Sequence, residues 1–281
     1  MAPHSHQLQG FQIQSQPEWA QMQIDLRNGL TRIPVLPLGH DAAYVWIPKN
    51  GCTTLKRAWL SSQGHAIDNV HQNALAHTTW MNTVEFEAVA QERTVVAIWR
   101  DPIDRFVSAC RSHLKVLTTG AIRTKLWLAT TGEKMRFQEA LESQDRLFKR
   151  HRLCSFDDDL DPTIVMNRVA LQLPAWIACH LDWSHHTIPQ VSYLGGDPSR
   201  YSTILGMEQI KDLVHHWGHA SGRNIDPSPQ HVSAERTVDD RWRRLQREDL
   251  NEQAVIALKD FYRVDYEFLD LAQSVLEPLS L

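Results

Sequence analysis

Two apolar runs, each followed within a few residues by a helix-patterned segment, constrain the fold more than anything else in this chain. DAAYVWIP (Asp41 to Pro48) is a short strand-like run ended by proline, and TTLKRAWLSS after it places Leu55, Ala58 and Trp59 on one helical face. TVVAIW (Thr94 to Trp99) is β-branched and apolar throughout, as a strand buried on both faces would be, and PIDRFVSACRSHL follows with proline in the first turn of a helix. Two strand-turn-helix units in succession predict an α/β, P-loop-like three-layer domain with a central, mainly parallel sheet flanked by helices.

The remaining segments fit that plan. KMRFQEALESQDRLFKR reads as a helix, SFDDDLDP as an acidic surface loop, and YSTILGM as another strand. EQIKDLVHHWGH then reads as a helix with Glu208 in its first turn, where a carboxylate suits the helix dipole. DPSPQHVSAE is loop-like, and the chain beyond Val238 is charged and helical. The Gln-rich start has little periodicity apart from a short helix near Trp19 to Leu26. Residues 1–40 are therefore read as an N-terminal extension and 41–281 as a single domain.

With 29 Lys plus Arg against 33 Asp plus Glu, the net charge of −4 does not suggest a nucleic-acid partner, so any basic site must be local. No apolar run is long enough to span a bilayer and no signal peptide is visible. Cys52, Cys110, Cys154 and Cys179 have neither CxxC nor zinc-type spacing and read as free thiols. These features point to a cytoplasmic protein.

The first strand-to-helix turn carries chemistry. A helix beginning near Thr53 directs its first backbone N–H groups outward, Gly51 permits close approach, Thr53 or Thr54 offers a hydroxyl, and Lys49 adds a full charge. Phosphate or sulfate would fit there, although a plain βα turn with a surface lysine has the same appearance. The nucleotide-binding pattern GxxxxGK[ST] places lysine after its glycines, whereas here Lys49 precedes Gly51.

PKNGCTTLK resembles the 5′-phosphosulfate-binding motif of sulfotransferases that use 3′-phosphoadenosine 5′-phosphosulfate (PAPS), and is closest to their carbohydrate branch, sulfotransferase family 2. WRDPIDRFVSACRSHL resembles that family's 3′-phosphate segment, which implies that Arg100 and Ser108 grip the 3′-phosphate. The same segment could also be a helix cap, with Asp101 as N-cap, Asp104 in the first turn and Arg105 pairing locally. HTIPQVSYL, YSTILGMEQI and FYRVDYEFLD extend the resemblance over about Tyr44 to Leu271, while residues 1–40 and roughly 118–160 show none.

The resemblance implies sulfuryl transfer from PAPS to an acceptor hydroxyl, most simply of a saccharide or glycoconjugate, with PAP as product and no metal. Lys49, Asn50, Gly51, Cys52, Thr53 and Thr54 would hold the 5′ end, with Lys49 neutralising the leaving group. The family's base lies between the two motifs, which makes His71 the first candidate, His77 the second and Glu85 an outside one. Because the family's lumenal members are membrane-anchored and this chain shows neither an anchor nor an N-x-[ST] sequon, a bacterial source is expected.

Other features are assigned more modest roles. His215 and His219 share a helix face but no further metal ligand is indicated, and most of the ten tryptophans, Trp46 and Trp99 among them, read as core. His231, Ser233 and Arg236 lie in a loop able to close over a nucleotide. Two other readings remain: a kinase that uses the same turn for ATP, and a non-catalytic nucleotide-binding module.

Overall fold

The computed structural model describes residues 25–26, 29–38, 41–118, 161–179, 181–228 and 241–275. Five strands form one sheet: β1 (Ile33–Leu38), β2 (Ala42–Val45), β3 (Thr79–Met81), β4 (Thr94–Trp99) and β5 (Thr203–Gly206), in the order β3-β1-β2-β4-β5. β2, β4 and β5 run parallel, with Val45 opposite Ala97 and Trp99 opposite Gly206. β1 pairs antiparallel with both β2 and β3, so the sheet is mixed, with a parallel core and an antiparallel margin.

β1 falls within the residues read as an extension, and its prolines explain why. Pro34 and Pro37 remove two donors from IPVLPL, which demotes the segment as a strand. Their carbonyls are nevertheless used: Pro34 accepts from the Trp46 amide at 3.2 Å and Pro37 from the Trp59 indole at 2.6 Å.

Alternation along the parallel strands creates the three layers. Ala43, Val45, Val95, Ala97 and Trp99 face one core, with α4 (Pro102–Thr118), α5 (Pro162–Leu171), α6 (Leu173–Cys179), α7 (Leu181–Thr187), α8 (Val191–Leu194), α10 (Glu252–Phe261) and α11 (Arg263–Val275) on that side. Tyr44, Trp46, Val96 and Ile98 face the other, against α1 (Cys52–Gln63), α2 (Val70–Ala76) and α9 (Ile210–Ser221). The remaining helix, α3 (Thr83–Glu92), leads into β4. Leu55, Ala58 and Trp59 are buried on α1, and Trp46 and Trp99 lie in opposite cores, Trp99 stacked on Phe268 at 5.8 Å. Among the described residues, no helix is long and apolar enough to cross a membrane.

The parallel strands end beside one another, so the turns that follow β2 and β4 are neighbours. Gly51 lets the first of these turns close: its φ is +67°, and a Cβ there would lie 2.4 Å from Ile210 Cδ1. Gly51→Ala should cost about 1–2 kcal/mol from the left-handed backbone, with a melting temperature lower by roughly 2–4 °C per kcal/mol. Thermal unfolding followed by circular dichroism checks this.

Candidate active site

The loop from Pro48 to Gly51 joins β2 to α1. Both Lys49 (φ 70°) and Gly51 (φ 67°) are left-handed, and for a lysine that conformation has to be enforced by its surroundings. Gly51 stands at the N-cap of α1 and provides no capping side chain. Elsewhere Asn69, Asn82 and Asp161 close the starts of α2, α3 and α5 with side-chain acceptors. The first turn of α1 holds no acidic residue, and Lys49 in the preceding loop adds a full positive charge to the partial one of the Cys52, Thr53 and Thr54 amides.

Three side chains hold the loop. Arg100, which directly follows β4, donates from Nη1 to the Lys49 carbonyl at 2.8 Å. Arg105 is fully buried in α4 and donates from Nε to the Pro48 carbonyl at 2.9 Å and from Nη1 to the Ile188 carbonyl at 2.6 Å. Asn50, also buried, donates from Nδ2 to the Ile98 carbonyl at 2.8 Å and to Gln190 Oε1 at 2.6 Å. The local pairing expected for Arg105 is thus replaced by two bonds to distant backbone.

Gln190 connects the two motifs. While its Oε1 takes the Asn50 amide, its Nε2 donates to the Arg100 carbonyl at 2.8 Å. Asp265 in α11 fixes its backbone, accepting from the amides of Gln190 at 2.9 Å and Val191 at 3.0 Å. Burial pushes the Asp265 carboxyl up to about 6, and those two amides and Arg105 oppose the rise.

Asp101 caps α4 as expected, with Oδ1 accepting from the amides of Ile103 at 2.9 Å and Asp104 at 3.1 Å. Arg247 pairs with Asp101 at 3.0 Å and Asp104 at 3.3 Å, so both acids beside Arg100 already have a cation. Burial lowers the Arg100 pKa from the usual arginine value, with Asp104 opposing and Arg111 and Arg105 adding to the effect. Its guanidinium remains charged at neutral pH. Ser108 is half-buried on α4, and its carbonyl accepts from Ser112 Oγ at 3.0 Å.

The base candidates separate. His71, in the first turn of α2, brings Nε2 to 3.2 Å from Thr53 Oγ1, at the head of α1. Its surface is open to solvent, yet surrounding protein lowers the imidazole pKa to about 4, through burial first, then Lys56, then Lys49. His77 caps the other end of α2, stacked on His65 with ring centroids 4.2 Å apart and 5.4 Å from the Trp59 ring, with burial and then His65 lowering its pKa. Glu85 is engaged in a capping box: its Oε2 accepts from the Asn82 amide at 2.8 Å, and its own amide donates to Asn82 Oδ1 at 3.0 Å.

His215 and His219 are exposed on α9, and among the described residues no three His, Cys, Asp or Glu side chains converge as a metal site would require. His231, Ser233 and Arg236 lie outside the described residues, as does most of SFDDDLDP and all of KMRFQEALESQDRLFKR. Sequence reasoning did not assign Arg105, Gln190 and Asp265 to the site, although the PQ and FYRVDYEFLD segments were visible signals for the latter two.

Gln190→Leu keeps the bulk but removes the acceptor for Asn50 and the donor for Arg100. With two buried polar groups stranded, the expected loss is about 2–4 kcal/mol, read from the midpoint of urea unfolding.

No curated protein and no solved structure matches the chain significantly. A model of the sulfotransferase family matches residues 39–272, which span the Lys49 and Arg100 loops, Gln190 and most of α11. With more than four fifths of its length covered by that model, the chain belongs to the sulfotransferase family, in its family 2 branch.

Proposed function

We propose that the protein transfers the sulfuryl group of PAPS to an acceptor hydroxyl on a saccharide or glycoconjugate, in the cytoplasm where PAPS is made. The observation that carries this reading is the uncapped start of α1, with Lys49 and Arg100 beside it and His71 against Thr53. PAPS supplies the activated sulfuryl group.

Each residue then has a definite part. The amides of Gly51 to Thr54 and the Lys49 ammonium bind the 5′-phosphosulfate and neutralise the charge that builds on the phosphate oxygen as its bond to sulfur breaks. Arg100 spends one donor on the Lys49 carbonyl and keeps others for the 3′-phosphate, with Ser108 adding a hydroxyl. His71 accepts the proton that the acceptor oxygen gives up as its bond to sulfur forms, and PAP leaves. His71 is preferred to His77 because of its contact with Thr53.

Calorimetric titration with PAP, with 5′-AMP and ATP–Mg²⁺ as controls at the same ionic strength, tests the nucleotide site. PAP should bind selectively, and Arg100→Ala should weaken it by at least about tenfold while 5′-AMP changes less. Equal PAP affinity of variant and wild type removes Arg100 from the 3′-phosphate site, and preference for ATP–Mg²⁺ turns the reading to a kinase. Lys49→Ala should lower kcat for transfer by about 10²–10³ while PAP affinity changes far less.

The pH profile tests the base. Neutral imidazole is the competent form, so activity is lost as pH falls through the folded value of about 4 rather than through the ordinary histidine value of 6.5. The acid limb of kcat/KM should therefore lie well below pH 6, and His71→Ala should abolish it along with most of the rate. A limb that survives in His71→Ala excludes His71 as the base.

A further inference from the structure

Lys56 lies one turn beyond Thr53, on the same side of α1. It is 2% exposed, and its Nζ sits 3.1 Å from the centroid of the Trp46 ring. Among the described residues no ion pair includes Lys56, and the face of the indole stands where a carboxylate would be expected. A buried ammonium so placed is costly, and methionine would fill the same space against Trp46 without that cost. The charge therefore calls for a use beyond packing.

The frame around Lys56 is the one that fixes His71. The Trp46 indole N–H donates to Thr78 Oγ1 at 3.2 Å, and that hydroxyl donates to the Ala74 carbonyl of α2 at 2.9 Å. The first turn of α2 carries His71, which Thr53 meets from α1. Trp46 thus supports the ammonium from one side and anchors the helix of the imidazole from the other.

We propose that Lys56 is a positioning residue for the base: its buried ammonium, seated on Trp46 beside the α1–α2 contact, holds the His71 imidazole in the neutral, proton-accepting form. This rests on the reading of His71 as the base. The groups whose charge acts on the pair are Lys49 on the loop and Cys52 on α1. Burial has the largest influence on His71, and the Lys56 charge comes next, ahead of that of Lys49. Burial lowers Lys56 itself to about 8, with Cys52 acting the other way. Between about 4 and about 8 the ammonium is charged while the imidazole is neutral.

The buried charge has a consequence for stability. Because the folded pKa of Lys56 lies below its ordinary value of 10.5, the unfolded chain holds the proton more tightly, and the charge costs stability below about 8. Stability rises with pH between about 8 and 10.5 as that cost disappears. Lys56→Met at neutral pH should accordingly melt no lower than wild type, because methionine keeps the packing against Trp46 and removes the cost of the buried charge.

The deciding experiment is an NMR pH titration of the full chain with labelled histidine, in which His71 is identified by the signal lost in His71→Gln. In wild type the ring should titrate near 4. In Lys56→Met its midpoint should rise by about one unit, a roughly tenfold easier protonation, and in Lys56→Arg it should stay near wild type. A folded Lys56→Met with an unmoved His71 overturns the proposal, and Lys56→Gln provides the same comparison if Lys56→Met does not fold. The two readings fail separately. If the ring moves and the acid limb of transfer does not, His71 is not the base although the coupling stands; if the limb persists with the ring unmoved, the base stands and the coupling falls.

Discussion

A buried arginine holding a backbone carbonyl is the interaction on which the site depends. Lys49 in the left-handed region costs about 1–2 kcal/mol, and such a conformation persists only where its surroundings over-determine it. Arg105 on the Pro48 carbonyl, Arg100 on the Lys49 carbonyl and Asn50 on the Ile98 carbonyl each contribute about 1 kcal/mol or more, and together they outweigh the strain. The backbone is bent before any ligand arrives, so the entropy of shaping the turn is met during folding rather than during binding.

Charge is distributed with the same economy. The starts of α2, α3 and α5 are closed by their own Asn or Asp, and Glu85 completes a capping box on α3. The two acids nearest Arg100 are occupied by Arg247. The start of α1 is left without an acid or a capping side chain, in a chain whose net charge is negative. A local positive field at that turn suits an anionic ligand even though the chain as a whole is acidic.

How much of this was legible in the sequence depended on whether a residue's partners lay nearby in the chain. Leu55, Ala58 and Trp59 declared their face through helical spacing, and TVVAIW declared a buried strand through composition. The turn between β2 and α1 was legible because a strand, a glycine and a helix start are local features. β1 was hidden by two prolines whose carbonyls do the work their amides cannot, and β3, three residues long, is shorter than any period can reveal. Arg105 looked like a helix-surface charge because its acceptors, Pro48 and Ile188, are 57 and 83 residues away. The burial of Lys56 against the ring of Trp46 likewise leaves no mark in the local pattern of α1.

Gln190 ties the loop after β2 to the loop after β4. Its single amide bonds Asn50 on the first loop and Arg100 on the second, and Asp265 of α11 holds its backbone. Neither loop can move without disturbing the other through this shared amide, so Lys49 and Arg100 keep a fixed separation. The C-terminal helix is thereby part of the site without facing it. Burial has pushed the Asp265 carboxyl up to about 6, so the ionised form that best accepts two amides is favoured only as pH rises through that value. His71 is governed by the opposite sign, since burial and two lysines keep its imidazole neutral down to about 4. In one small region the fold sustains an ionised Asp265 beneath Gln190 and a neutral imidazole on His71, and both states coexist above about 6.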